Sequence, residues 1–587
     1  MQRGDFIKSG SFSAGALLLF PSLLFAKNEL SNETDPEFLA TLIAANDKQV
    51  ESLIQTYLKG NVSFSRNVGS HFSACAAAYC ATQSRFFHQQ AVADTMMAQI
   101  ALMLQNQTAD GTINFSNQES PPDTSFLLEL LCPGVDILQK DGSESSKKIE
   151  SAIKPFLLKA AETIRKGGVH TPNHRWVISA ALAQLHGVFP NDAYRKRVEE
   201  WLADGVYCDE DGHYPERSAI YAAVENTAFI SIARMLDKPE LLRAVRRNLT
   251  LNAYYLEPDG NLVTAPSRRQ DQYGTHSILH YYFCYRYLAV LDKNPLFAAI
   301  VEFMEGLPEF ATIVLPKALF SCMENEMLLN KLPNVGKLPQ DFAKLIPTVS
   351  TLRIRRGNTT ATFFGGADQP IIIASGRSNS PNFFSYRKGL AILQYMRLST
   401  AFFSTGYFYS DGLKKDKQVY KLYKRLEAPY YDPMKPEKRK ADGDYALSQS
   451  IDNRFWNKMD FANRPVNTMK TLEIQVWLQE NDGKIQLDFK VEGLKDVNVT
   501  LELCFASGGK LNGAEGIAAD DYLLKQGYAT YTAGNDVIKF GPGAHLHNNI
   551  RNLEGERYST HFGTLRTSGT HVYLTGKTPF VHTMFFE

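Results

Sequence analysis

From about residue 35 to residue 330, apolar positions recur every three to four residues in one segment after another, the spacing that keeps them on one face of a helix. On that basis residues 90–104, 174–185, 191–203, 218–236, 238–248 and 277–291 are predicted helices. The loops repeat a theme: Ala109-Asp-Gly-Thr112, Glu210-Asp-Gly-His213 and Pro258-Asp-Gly-Asn261 each follow a predicted helix and carry a turn dipeptide. This is a coarse repeat of helical hairpins, and packed side by side they predict a curved or closed α/α toroid with its loops gathered around a cleft at one end. From about residue 345 the period falls to two. Thr351-Leu-Arg-Ile-Arg, Thr360-Ala-Thr-Phe-Phe, Leu472-Glu-Ile-Gln-Val-Trp, Lys484-Ile-Gln-Leu-Asp-Phe, Val572-Tyr-Leu-Thr-Gly576 and Val581-His-Thr-Met-Phe585 alternate polar with apolar residues, as half-buried strands do. Residues 420–442, rich in Lys, Arg, Tyr and Pro, read as a long loop. The expected fold is α+β and multidomain: an N-terminal α/α toroid over residues 27–340, then a C-terminal antiparallel β-sandwich over 341–587.

Composition narrows the function. With 63 Lys and Arg against 62 Asp and Glu, the chain lacks the basic footprint of a nucleic-acid binder, while a local basic cleft for an acidic substrate stays open. Arg3 and Lys8 precede an apolar stretch at 14–25, and Ser-Leu-Leu-Phe-Ala26 ends in a small residue, so residues 1–26 are predicted to be a signal peptide. The stretch resembles a twin-arginine export signal with Gly4 where the second arginine would stand. A periplasmic, exported protein is expected, with no later span long and apolar enough for a bilayer. The seven cysteines show no CxxC or zinc spacing and read as mostly buried, free thiols.

Two segments carry side chains suited to proton chemistry. In Thr171-Pro-Asn-His174, threonine suits an N-cap and proline the first helical position, so Asn173 and His174 fall in a first turn where free amides and the helix dipole favour an anion. A carboxylate there would accept hydrogen bonds from the Asn173 amide and from backbone. In Asp211-Gly-His-Tyr-Pro-Glu-Arg-Ser-Ala-Ile-Tyr221, Pro215 is expected to open a helix, with Glu216, Arg217 and Ser218 in its first turn and Tyr221 about one and a half turns inside. The plainer readings are capped helices, a first-turn glutamate that steadies one of them, and a core tyrosine.

Together the two segments resemble the uronate-cleaving polysaccharide lyases of the heparinase II/III and alginate-lyase type. The Asn-His pair at a helix start matches Asn173 and His174, and the Asp-Gly…Glu-x-Ser-x-x-Tyr pattern matches Asp211, Gly212, Glu216, Ser218 and Tyr221. The resemblance implies a toroid-plus-sandwich fold over the mature chain and β-elimination on an acidic oligo- or polysaccharide without a metal or other cofactor. It implies that Asn173, with His174 or an arginine, quenches the uronate carboxylate and stabilises enolate-like charge. Tyr221 would serve as acid, base or both, with histidine sharing the work. Arg217, Arg268 and Arg269 are the candidate cations beside it. A neutral chain suits a glycan less charged than heparin, and a rhamnose–glucuronate linkage is the finer expectation.

A third loop, Ala265-Pro-Ser-Arg-Arg-Gln-Asp-Gln-Tyr-Gly-Thr-His276, offers Arg268 and Arg269 for a carboxylate, Tyr273 for ring stacking and His276, or else it is simply solvated. Asp123, in Ser-Pro-Pro-Asp-Thr-Ser125, is a candidate for lining the cleft from an earlier hairpin. His545 and His547 are two apart and read as sharing one face of a strand; the resemblance, since some of these lyases hold a structural zinc in the sandwich, implies them with His561 as its ligands, but no carboxylate follows closely and a polar patch is the preferred reading. The basic stretch 375–380 would face either the cleft or solvent. Two competing functions stay open: a glycoside hydrolase using a carboxylate pair drawn from Asp123, Asp211 and Glu216, and a non-catalytic glycan-binding protein.

Overall fold

The computed structural model describes residues 34–60, 62–115, 117–366, 380–451, 456–550 and 567–587. The expected leader, most of the basic stretch 375–380 and His561 lie outside them, as does the side chain of Tyr273.

The helical half comprises α1 (Pro36–Leu58), α2 (Asn67–Cys80), α3 (Gln90–Asn106), α4 (Pro121–Asp141), α5 (Glu144–Lys166), α6 (Pro172–Val188), α7 (Asp192–Ala203), α8 (Ala219–Met235), α9 (Leu242–Tyr255), α10 (Tyr282–Leu291), α11 (Pro295–Glu305), α12 (Phe310–Ile313) and α13 (Leu315–Glu324). Helices α2, α4, α6 and α8 pack on one another in sequence, with α1, α3, α5 and α7 outside them, and α13 returns to α1, α2 and α4 to close the ring. The inner helices are apolar or small nearly all round: α2 buries Val68 to Tyr79 almost without a break, and α6 buries Trp176 to Leu185. The outer α5 is amphipathic, with its buried stripe at Ile149, Ile153, Phe156, Leu157, Ala160 and Ile164.

The Asp-Gly loops are a true structural repeat. In each, a backbone amide reaches the carbonyl four residues on: Thr108 to Thr112 at 2.9 Å, Asp209 to His213 at 3.0 Å and Glu257 to Asn261 at 2.8 Å. The turn requires positive φ at its glycine, 113° at Gly212, where a Cβ would also stand 2.6 Å from the Arg247 carbonyl oxygen.

The C-terminal half is a sandwich of a nine-stranded and an eight-stranded sheet, counted over the described residues, with antiparallel pairing except where Asp521–Leu523 runs parallel to Thr570–Lys577. The predicted strands all form, and alternation understated their length: Leu472–Trp477 belongs to Val466–Asn481, and Lys484–Phe489 to Lys484–Gly493. The expected long loop at 420–442 is corrected. Its first part is the strand Val419–Tyr431, paired along its length with Val466–Asn481; Tyr420, Leu422 and Ala428 are buried while Arg425 and Glu427 face solvent. One apolar core runs from Leu42 to Val349, and a second from Leu352 to Phe586.

The nine-stranded sheet grips the third Asp-Gly loop of the ring. Arg353, wholly buried, pairs with Glu257 at 2.9 Å and donates to the Tyr254 carbonyl at 3.2 Å. Thr360 donates to Glu257 at 2.6 Å, and Arg387 to Asp259 at 2.6 Å. Among the described residues no helix is long and apolar enough to cross a membrane.

Candidate active site

Helix α6 starts where its sequence says, with extended Thr171 ahead of Pro172. The anion expected at this helix start is supplied by the protein itself. Glu216 Oε2 accepts from Asn173 Nδ2 at 2.7 Å and from the Asn173 backbone amide at 3.3 Å. The Thr171 hydroxyl makes no capping bond and instead accepts from Asn173 Nδ2 at 3.2 Å. Asn173 is wholly buried with its amide hydrogens committed inside the protein, so it does not present them to a substrate as the sequence suggested.

The second segment differs from expectation in its helix start. Pro215 does not open α8; Ser218 is the N-cap and Ala219 the first helical residue, so Glu216 and Arg217 precede the helix, with Arg217 at φ 51°. Tyr221 is the third helical residue, within the first turn, and its amide donates to Ser218 Oγ at 3.2 Å. The reason lies in the third loop. Asp271 supplies the anion that α8 needs, accepting from Ala219 N at 2.8 Å and from Ser218 Oγ at 3.1 Å. Glu216 is thereby released to face Asn173 and Arg269.

Arg269 is the hub. Its Nη1 ion-pairs with Glu216 Oε1, its Nη2 donates to Tyr221 Oη at 3.1 Å, and its guanidinium lies 4.2 Å from the Tyr221 ring centroid. Gln270 Nε2 donates to the same Oη at 2.9 Å. With both phenolic lone pairs taken by donors, the hydroxyl hydrogen is directed away from them and is available to an outside acceptor. Arg268 is structural by contrast: its backbone amide donates to the Glu216 carbonyl at 2.9 Å and its Nη1 to the Pro215 carbonyl at 3.0 Å, which fixes the turn carrying Glu216. Arg217 acts electrostatically on Tyr255.

Sequence reasoning missed Arg66, just ahead of α2. It ion-pairs with Asp123, lies 5.7 Å from the Phe115 ring and 5.3 Å from the Phe126 ring, and acts electrostatically on both Tyr221 and His174. Asp123, expected to line the cleft, is buried under this arginine and also accepts from Asn117 Nδ2 at 2.9 Å; it positions a cation and is not itself displayed. The only signal for Arg66 was an arginine standing before a helix of small residues.

His174 follows Asn173 into α6. Its ring meets those of His170 and Phe126 edge-on, at 4.7 and 6.4 Å, and its Nδ1 is buried without a hydrogen-bond partner. Burial first, then His170, Arg269 and Arg66, push its pKa down to about 4, so it is a neutral imidazole at ordinary pH. His276 closes the third loop and stacks on His280 at 4.7 Å, away from the Glu216–Arg269 pair; burial lowers its pKa to about 3.

The two sandwich histidines lie in a loop after the strand Asp536–Gly541, so the shared strand face is corrected. His547 bonds the Val499 carbonyl at 3.1 Å through Nε2 and accepts from the Asn549 amide at 3.2 Å through Nδ1, while His545 meets Thr575 Oγ1 at 3.3 Å. With both its ring nitrogens bonded, His547 does not fit a zinc ligand. Among the described residues no three His, Cys, Asp or Glu side chains converge as a metal set.

No protein-family model and no curated protein matches the chain. Solved structures do. The chain superposes on chondroitin AC lyase from Streptomyces coelicolor A3, in complex with chondroitin sulphate, with a TM-score of 0.54 at 10% identity over 93% of this chain and 79% of that one. Heparinase III gives a TM-score of 0.51 at 10% identity, over 89% of this chain and 76% of that one. The fold is that of the polysaccharide lyases built from an α/α toroid and a β domain.

Proposed function

We propose that this protein is a polysaccharide lyase that cleaves a uronate-containing glycan by β-elimination. The observation that carries the reading is the constellation around Arg269, in which one buried guanidinium joins Glu216 at the start of α6 to the Tyr221 hydroxyl. In this reading Arg66 meets the uronate carboxylate, and the role first expected of Asn173 becomes that of positioning Glu216. His174, a neutral imidazole whose Nδ1 is buried, takes the C5 proton at Nε2. The electron pair forms the C4–C5 double bond as the C4–O4 bond breaks, and Tyr221 gives its hydrogen to O4. Arg269 and Gln270 then stabilise the charge left on the Tyr221 oxygen until it is reprotonated.

The three carboxylates that a hydrolase would use are all engaged. Glu216 is held by Arg269 and Asn173, Asp123 by Arg66 and Asn117, and Asp211 accepts from Thr348 N at 3.0 Å and Thr348 Oγ1 at 2.8 Å. None is left as a freely exchanging acid–base pair, which favours elimination over hydrolysis. For the substrate, the neutral chain and modest number of cations at the site support a lightly charged glycan, with a rhamnose–glucuronate linkage as the finer proposal. Export to the periplasm through residues 1–26 is proposed with it, as is the division into a toroid over 27–340 and a sandwich over 341–587.

The test is ultraviolet absorbance of a 4,5-unsaturated uronate during incubation with a panel of uronate glycans. Tyr221→Phe is expected to lower the rate by about 10²–10⁴-fold with the fold intact. New reducing ends without that absorbance would replace this reading by hydrolysis.

A further inference from the structure

Inside the ring the inner helices do not close on one another. Helix α8 turns Ala223, Thr227 and Ser231 toward the axis at four-residue intervals, and these small side chains leave a cavity of about 590 Å³. The α8 residues on its wall run from Ile220 to Arg234, roughly 21 Å of helix at 1.5 Å per residue. The opposite walls are mixed: Leu130, Leu279, Phe283 and Phe320 supply most of the surface, with Gln184, His276, Ser321 and Asn325 set among them.

Of the ionisable groups that line this cavity, His276 and His280 are held below the usual imidazole range, by burial first, which disfavours their charged form. Arg234 is paired with Glu324 at 2.9 Å. Glu129 has Oε1 buried with no hydrogen-bond partner, and burial drives its pKa far upward, so it is a neutral carboxyl. A subsite for an acidic sugar needs the opposite, a wall dense in cations and hydrogen-bond donors. The cavity nonetheless adjoins the candidate active site: Ile220 precedes Tyr221 in α8, and Phe126 carries the ring that meets His174 edge-on. Exposed His280 and Lys317 stand on its outer rim. A space of this size, mostly apolar with a few polar groups, has the make-up of a ligand pocket.

We propose that this axial cavity binds an uncharged apolar group, an aromatic ring or a short alkyl or acyl chain, beside the sugar site. Two sources share that chemistry, a substituent carried by the glycan and a free small molecule. The cavity itself does not depend on the lyase reading.

The test titrates the full-length protein with benzyl alcohol, methyl β-D-glucuronide and benzyl β-D-glucuronide, by ligand-observed NMR and calorimetry. Thr227→Phe and Ser231→Phe fill the cavity at two depths, and circular dichroism checks their fold. Benzyl alcohol is expected to saturate the wild type at roughly millimolar concentration and to bind each variant at least about tenfold more weakly. Benzyl glucuronide binding about tenfold tighter than methyl glucuronide assigns the group to the substrate, and equal binding assigns a free molecule. Failure of benzyl alcohol to saturate the wild type, or unchanged binding in the folded variants, overturns the proposal. If both variants misfold, wild-type crystals soaked in benzyl alcohol decide between a ring lodged between α8 and α10 and an empty cavity. Methyl glucuronide alone bears on the uronate reading: its failure to bind counts against that reading and leaves the benzyl alcohol result to judge the cavity.

Discussion

Glu216 and Arg269 are nearly inaccessible to solvent, at 1% and 5% side-chain exposure, and each has more than one partner. Deleting one member of such a pair leaves the other charge buried without compensation. Glu216→Ala is therefore expected to lower unfolding free energy by about 3–5 kcal/mol in urea titrations, while breaking an exposed pair such as Arg85–Glu51 changes it by at most about 1 kcal/mol. His174 makes a pH prediction. Its pKa is about 4 in the folded protein against about 6.5 for a free imidazole. Between those values the unfolded chain binds a proton that the native state refuses, so stability falls as pH drops from about 6.5 toward 4 and is unaffected by this group above that window. His276 acts in the same direction. If His174 is the base, the acid limb of kcat/KM lies near pH 4, where an unperturbed histidine would place it near 6.5, and a measured limb near 6.5 would remove His174 from that role.

At the scale of elements, α8 depends on a cap from another loop. Asp271→Ala removes the acceptor of Ala219 N and Ser218 Oγ, and a loss of about 1–2 kcal/mol in thermal or urea unfolding is expected. Because Tyr221 lies in that same turn, the variant should also lose activity, which Asp271→Glu partly restores. Here the limits of reading from sequence become physical. Periodicity locates α3, α7 and α8 to within two residues because their apolar positions repeat along the local chain. What misleads is the local motif: Pro215-Glu216 is a good helix opening that loses to Asp271, fifty-odd residues away in sequence. The same distance hid the bond from Arg269 to Tyr221, although both residues were singled out, and Arg66 gave almost no local sign at all. Val419–Tyr431 reads as a loop because Lys421, Arg425 and Glu427 decorate its open face and Lys424 interrupts the apolar positions of the other.

For the whole molecule, the two halves are joined chiefly by buried polar contacts. Arg353 reaches Glu257 and the Tyr254 carbonyl, Arg355 reaches the Leu256 carbonyl at 3.3 Å, and Thr348 holds Asp211. Arg353→Ala is expected to uncouple them, so that a single calorimetric transition splits into two; a unified peak in that variant would mean that the remaining contacts suffice. The Asp-Gly loops lead to a different consequence. Each is fastened by a bond within its own main chain, and each is then held from outside: the first by Lys159 at the Thr108 carbonyl, the second by Thr348 at Asp211, the third by Arg353, Thr360 and Arg387. The repeated turn thus works as a rivet, stiff in itself and gripped by its neighbours. Lengthening the second or third would loosen the join between the halves, so variation that leaves the molecule in one piece has to fall elsewhere on the ring.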